Sequence, residues 1–400
     1  MGAIELFILL LIVAAAVALL SRRLRVQYPL ALLVFGLVLD SVGPLPTVPL
    51  TSRVILLLFL PPLLFEAAFA LDLDLLWSRR TGVLFLAFFG TALATLVGAA
   101  IVHWAGVFPW TLALVFGAMI AATDPVAVLA TFRQLGMPKP LRVLLEGESL
   151  FNDAIGLSLF LALVSAVGGG FEVGYAVQEF LVSVVGGAVL GLAIGWLGHY
   201  LVAASDEHLT EMIVSVAVAY GAFLGAEELH LSGVMATLIA AMTLSRLGRT
   251  RGWVFSDGSE RLLDDLWEFL AFIANAALFL LMGLTAPVAG LLENPQFVVW
   301  GVVAALAGRA AVAYGLGALL GLVGPRMPWA ERHIVFWGGL RGAVALAAAL
   351  SLPTAFPQRQ QLLAMTYGVV LFTVLAQGLT IGPLARRLGL LEGQATAQED

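Results

Sequence analysis

Glu146-Gly147-Glu148-Ser149-Leu150-Phe151-Asn152-Asp153, inside one apolar segment, and Thr123-Asp124-Pro125, inside the segment before it, decide how this chain is read. Carboxylates at that depth are costly. Each charged side chain near a bilayer centre costs about 2.5–3.5 kcal/mol on insertion scales, so a cluster beside a helix-breaking proline marks an ion or proton site.

The surrounding chain is membrane material. Of its 400 residues 61% are hydrophobic and only 12% charged, and the mean hydropathy is +1.02, far from a soluble chain of this length. Thirteen apolar runs follow one another, at about 3–20, 29–45, 54–71, 82–104, 108–132, 141–167, 174–203, 209–226, 231–244, 266–285, 297–323, 328–351 and 361–384, each near the length that spans a bilayer. The fold class expected is an all-α polytopic membrane protein. The net charge of −6 says little about partners, nothing points to nucleic acid, and the absence of cysteine excludes disulfides and thiolate metal sites.

The basic residues give an orientation. Arg22, Arg23, Arg25, Arg79, Arg80, Arg133, Lys139, Arg142, Arg246, Arg249, Arg251, Arg261, Arg326, Arg332, Arg386 and Arg387 fall on one face if thirteen spans alternate. Arg53 and Arg359 fall on the other, and Arg309 and Arg341 lie inside apolar runs. The positive-inside rule then places the N-terminus outside and the C-terminus in the cytoplasm of a cell membrane. Run one carries its arginines behind it, which argues for a helix and against a cleaved signal peptide.

One integral membrane domain, 1–388, and a short disordered cytoplasmic tail, 389–400, are expected, with Gly168-Gly169-Gly170 and the polar tract from Arg246 to Asp265 as the main interruptions. An odd count permits six helices, one linker helix and six helices, the halves inverted, as in many secondary transporters. Runs five and twelve then correspond, and both carry a break: Asp124-Pro125 in one, Gly338-Gly339-Leu340-Arg341-Gly342 in the other.

Pro125 lacks an N–H and clashes with the carbonyl of Ala121, so the helix around Thr123 and Asp124 should be kinked or unwound and should free carbonyls for a dehydrated cation. On run six, 100° per residue puts Ser149 and Asp153 on one face, with Glu146 further back on the same stripe. Asp153 with the Ser149 hydroxyl suits a hard-cation site of oxygen donors. Glu148 projects about 140° away from Asp153 and suits a buried arginine.

The strings Leu60-Pro61-Pro62-Leu63-Leu64-Phe65-Glu66, Ala122-Thr123-Asp124-Pro125-Val126-Ala127, Glu146 to Ala154, Trp267-Glu268-Phe269-Leu270-Ala271-Phe272 and Gly338-Gly339-Leu340-Arg341-Gly342-Ala343 together resemble the monovalent cation/proton antiporters. Within that family the chain is similar to the NhaP-type sodium/proton branch related to the animal sodium/hydrogen exchangers. The resemblance implies two inverted six-helix repeats with crossed broken helices, and a homodimer with a mobile core domain (runs 4–6 and 11–13) and a static interface domain (runs 1–3 and 7–10).

Position by position, it implies Asp153 as the principal cation and proton carboxylate, helped by Asp124. Sodium would be held by these two with Ser149 and the backbone carbonyl of Thr123, and Glu66 would approach as a further carboxylate. Asn152, counted among the cation- and proton-binding residues, stands where the electrogenic branch has a second aspartate, which implies electroneutral exchange. Glu148 and Arg341 match a structural ion pair, with Arg309 as the other candidate partner. With so short a tail, the regulatory partners of the animal exchangers are not expected.

The function expected is therefore secondary active antiport of sodium or lithium for protons, one for one, by alternating access, the ions competing for carboxylates that titrate as a coupled pair. No cofactor is expected beyond the transported sodium and protons, and no partner beyond membrane lipid and a second copy. Potassium/proton or broad monovalent cation exchange is the alternative, and a cation channel a remoter one. A hydrolase built on paired aspartates lacks its geometric partners.

Overall fold

Inside a lipid bilayer every backbone N–H and C=O must find a partner within its own segment, so apolar runs of this length fold as helices. A computed structural model of the chain describes residues 3–24, 28–42, 52–124, 132, 136–169, 173–205, 207–250, 259–286, 291, 293, 295–323 and 326–390. These residues hold fourteen continuous helices and no strand. The first seven are α1 (Ala3–Leu24), α2 (Tyr28–Val42), α3 (Ser52–Phe69), α4 (Leu73–Trp104), α5 (Trp110–Ala121), α6 (Lys139–Gly169) and α7 (Val173–Ala203). Then come α8 (His208–Glu228), α9 (Gly233–Thr250), α10 (Ser259–Leu284), α11 (Pro295–Ala310, continued by a π-helical turn, Ala311–Leu316, and by Gly317–Val323), α12 (Trp329–Trp337) and α13 (Ala343–Ser351). Last is α14 (Arg359–Phe372, a π-helical turn, Thr373–Gln377, and Gly378–Arg387).

The thirteen runs map onto these helices, run twelve as the pair α12 and α13. Among the described residues, seven helices are long and apolar enough to cross a membrane by themselves. Two boundaries differ from the sequence reading. Helix α4 begins at Leu73, nine residues before its apolar run, because Asp72 caps it by accepting the Leu75 N–H at 2.9 Å. Most of the polar tract after run nine is also helical, α9 reaching Thr250 and α10 starting at Ser259. Hydrophobicity marks the lipid-embedded part of a helix, not its ends.

Glycine lets neighbouring helices approach to backbone contact, the packing that membrane helices favour. On α7, Gly187, Gly191 and Gly195 lie against the backbone of Ser232, Ala236 and Ala240 at and after the start of α9, leaving no room for a Cβ at any of them. Gly36 of α2 meets Gly283 of α10 in the same way. A second set joins other helices: Gly117 of α5 lies on Thr95 of α4, Gly308 of α11 on Ala94 of α4, and Gly156 of α6 on Ala122.

The helical break in run five comes early. Helix α5 ends at Ala121, Ala122 takes φ −58°, ψ 136°, and residues 122–124 lie outside any helix. Pro125, the expected cause, lies outside the described residues. In run twelve the helix stops at Trp337 and resumes at Ala343. The two breaks meet: the Asp124 N–H donates to the Leu340 carbonyl at 2.8 Å.

Candidate functional site: a buried crossing of two broken helices

A helix that ends inside the membrane leaves its last carbonyls without partners. At the end of α5 those oxygens are taken by Arg341, whose Nη1 donates to the carbonyls of Ala121 at 2.7 Å and Ala122 at 2.9 Å. Arg341 is 1% exposed, and its backbone N–H donates to the Thr373 hydroxyl at 3.1 Å. A guanidinium here meets both the orphan acceptors and the negative end of the helix dipole. The freed carbonyls of Ala121 and Ala122 are thus claimed by protein. Gly342 lies directly against the Asp124 carboxylate, in a space a Cβ would fill.

From α6, Ser149 and Asp153 face this break as their spacing requires. The Ser149 and Thr123 hydroxyls are 2.9 Å apart. The Thr123 N–H donates to the Asp153 carboxylate, with Asp124, Glu148 and Arg341 all near enough to act on its charge. Asp153 is buried, and its Oδ1 has no hydrogen-bond partner among the described residues. A carboxylate oxygen left over beside two hydroxyls is the donor chemistry a small hard cation takes.

Asn152 ties the pieces together. Its Nδ2 donates to the Ala121 carbonyl at 3.1 Å and to Thr123 Oγ1 at 3.2 Å, and lies 3.4 Å from Glu148 Oε1. With Nδ2 facing three acceptors, Oδ1 turns to α4, where the Thr91 hydroxyl meets it at 2.8 Å. The amide thus bridges α4, the end of α5 and α6.

Glu148 projects away from Asp153 and is clasped by Arg309, with Nη1 to Oε1 at 2.7 Å and Nη2 to Oε2 at 3.0 Å. Arg309 Nε donates to the Val335 carbonyl at 2.8 Å, so its donors are turned to the two acceptors from α6 and α12. The expected pairing of Glu148 with Arg341 is therefore corrected. Arg341 is drawn off by the open end of α5, and Gly339, having no side chain, leaves the space that the Arg309 stem fills.

Glu66 sits half-buried in the last turn of α3, a helix that packs against α13. Two contributors escaped the sequence reading. Thr91 and Thr373 lie in uniformly apolar runs, where a threonine normally bonds its own helix backbone, and nothing in their spacing sets them apart.

A buried, charge-bearing crossing of two broken helices in an all-helical membrane domain defines an ion-coupled secondary transporter, not an enzyme. The sodium/hydrogen exchanger transmembrane family matches residues 8–387, and the chain belongs to that family. It is 36% identical to the Na(+)/H(+) antiporter ApNhaP of Aphanothece halophytica, over 98% of this chain and 76% of that protein. It is also 36% identical to the Na(+)/H(+) antiporter NhaP of Pseudomonas aeruginosa, over 84% and 81%. With NhaH of Halobacillus aidingensis the identity is 33%, over 96% and 97%. Among solved structures, the sodium proton antiporter MjNhaP1 of Methanocaldococcus jannaschii shares the fold, with TM-score 0.78 and 20% identity over 96% of this chain and 98% of that one.

Proposed function

We propose that this chain exchanges sodium or lithium for protons, one for one and without net charge movement, the two substrates competing for Asp153 with Asp124 beside it. One observation carries the reading: the crossing gathers three carboxylates, Asp124, Glu148 and Asp153, against two guanidiniums, Arg309 and Arg341. Asp153 Oδ1 has no hydrogen-bond partner among the described residues, and its buried charge needs compensation. Either a proton or one monovalent cation supplies it, and Asn152 adds no second titratable group.

The same reading divides the molecule into a moving core, α4–α6 with α11–α14, and a static interface, α1–α3 with α7–α10. The glycine contacts described above fall within these groups and support the division. Exchange follows when the core crosses only with a proton or a cation bound. The chain works as a homodimer in the cell membrane, N-terminus outside and C-terminus in the cytoplasm.

The test is dissipation of an imposed pH gradient in proteoliposomes on adding sodium, lithium or potassium. Sodium and lithium should dissipate it at a rate unchanged when valinomycin and potassium clamp the membrane potential, and Asp153→Asn should abolish the response. Potassium acting as well as sodium would contradict the ion assignment, and a rate that follows the potential would contradict electroneutrality.

A further inference from the structure

The first turns of α4 and the junction between α11 and α12 come together at one end of the bundle, since Leu320 reaches Gly82. Here the stems of Arg326 and Arg332 lie along Gly321 and Gly317, and Glu331 is close enough to Arg79 to feel its charge. Two tryptophans flank the group, Trp77 at 66% and Trp329 at 64% exposure. Arg80 lies 4.6 Å from the Trp77 ring centroid and Arg332 lies 5.2 Å from that of Trp329. Four guanidiniums, those of Arg79, Arg80, Arg326 and Arg332, thus gather beside Glu331, while Asp74 in the first turn of α4 is paired with Arg246.

We propose that this patch is a binding site for the phosphate headgroup of an anionic phospholipid. Exposed tryptophan at a helix end is the mark of the headgroup level of a bilayer, where lipid is the permanent neighbour. Guanidinium forks match phosphate oxygens two at a time, and juxtamembrane arginines each contribute about 1 kcal/mol toward anionic lipid. The arrangement is more than a generally basic face. Nε of Arg332 is fixed on the Met327 carbonyl at 2.9 Å, which directs its terminal nitrogens. The packed stem of Arg326 limits its sweep. Both arginines are therefore partly organised before lipid arrives, which lowers the ordering cost of binding. The patch lies on the helices assigned to the moving core, so a lipid held here travels with them. The inference needs only the membrane placement of the chain and not the exchange mechanism.

The experiment titrates the detergent-solubilised full chain with fluorescently tailed phosphatidylglycerol at low salt, with phosphatidylcholine of the same tail as comparison. Replacing Arg79, Arg326 and Arg332 by Gln together should weaken phosphatidylglycerol binding on the order of 100-fold, at about fivefold for each arginine. Arg326→Gln alone, which disturbs no hydrogen bond among the described residues, should give about fivefold and serves if the triple variant fails to fold. Arg23→Gln with Arg261→Gln, on α1 and α10, should change binding less than twofold. Equal loss in that control pair would overturn the proposal in favour of unspecific basic attraction. So would phosphatidylcholine binding as tightly, or inorganic phosphate at matched phosphate concentration displacing the lipid.

Discussion

Arg309 holds Glu148 with both terminal nitrogens, at 2.7 and 3.0 Å, where the two side chains are only 4% and 2% exposed. Removing one partner of such a pair strands a buried charge and costs about 3–5 kcal/mol, while removing both costs much less. Glu148→Gln and Arg309→Gln should each lower thermal stability strongly in detergent, and the double variant should recover most of the loss. Pairing Glu148→Gln with Arg341→Gln should recover far less. Comparable recovery in both cycles would show that the two arginines share Glu148.

Gly342 gives a steric test of the crossing. A methyl group there collides with the Asp124 carboxylate, while the clasp between Arg309 and Glu148 lies on other atoms. Gly342→Ala should reduce sodium-driven proton flux at least tenfold and leave melting within a few degrees of the parent. Parental flux would mean that the position of Asp124 is immaterial to transport.

Thr91 tests the role given to Asn152. Thr91→Val keeps the shape but removes the hydroxyl that Asn152 Oδ1 shares with the Ala87 carbonyl, at 2.8 and 2.5 Å, a loss of about 1–3 kcal/mol. Thr91→Ser restores the hydroxyl and should recover most of that stability. If valine and serine melt alike, the hydrogen bond contributes nothing.

At the rim of a cavity of about 430 Å³ lined also by Arg142, Glu146 and Arg246, Asp72 accepts from Lys139 at 2.6 Å. The Lys139 hydrogen bond, then the Leu75 N–H, hold the Asp72 carboxyl below its ordinary value of 3.8. A carboxyl lowered on folding stabilises the fold above its unfolded value and loses that contribution as pH falls through the folded one. Asp72 is therefore ionised throughout the neutral range. Asp72→Asn, which keeps the helix cap, should leave the pH profile of exchange unmoved. A shifted midpoint would make this rim group part of the pH response.

Parity, the positions of the two breaks and the stripe carrying Ser149 and Asp153 were legible in the sequence, because each follows from membrane length limits, proline or glycine chemistry, or 100° periodicity. Glu148 was also legible as an arginine's partner. Which arginine it takes was not, since the choice depends on the open end of α5 competing for Arg341, a relation between segments more than 200 positions apart, as Arg341 and Ala121 show. The bracing by Thr91 and Thr373 was hidden for a similar reason. A hydroxyl in an apolar helix reads alike whether it bonds its own backbone or a neighbour.

If sodium and a proton exclude one another at Asp153, as proposed, sodium binding must release protons. Sodium is added to the detergent-solubilised protein in weak buffer, and the protons appearing in solution are counted against sodium bound. Competition for one carboxylate predicts release of about one proton per sodium at the acidic edge of the working range, falling toward zero as pH rises, and none from Asp153→Asn. Sodium binding with no proton release at any pH, or unchanged release from the Asp153→Asn protein, would contradict the account.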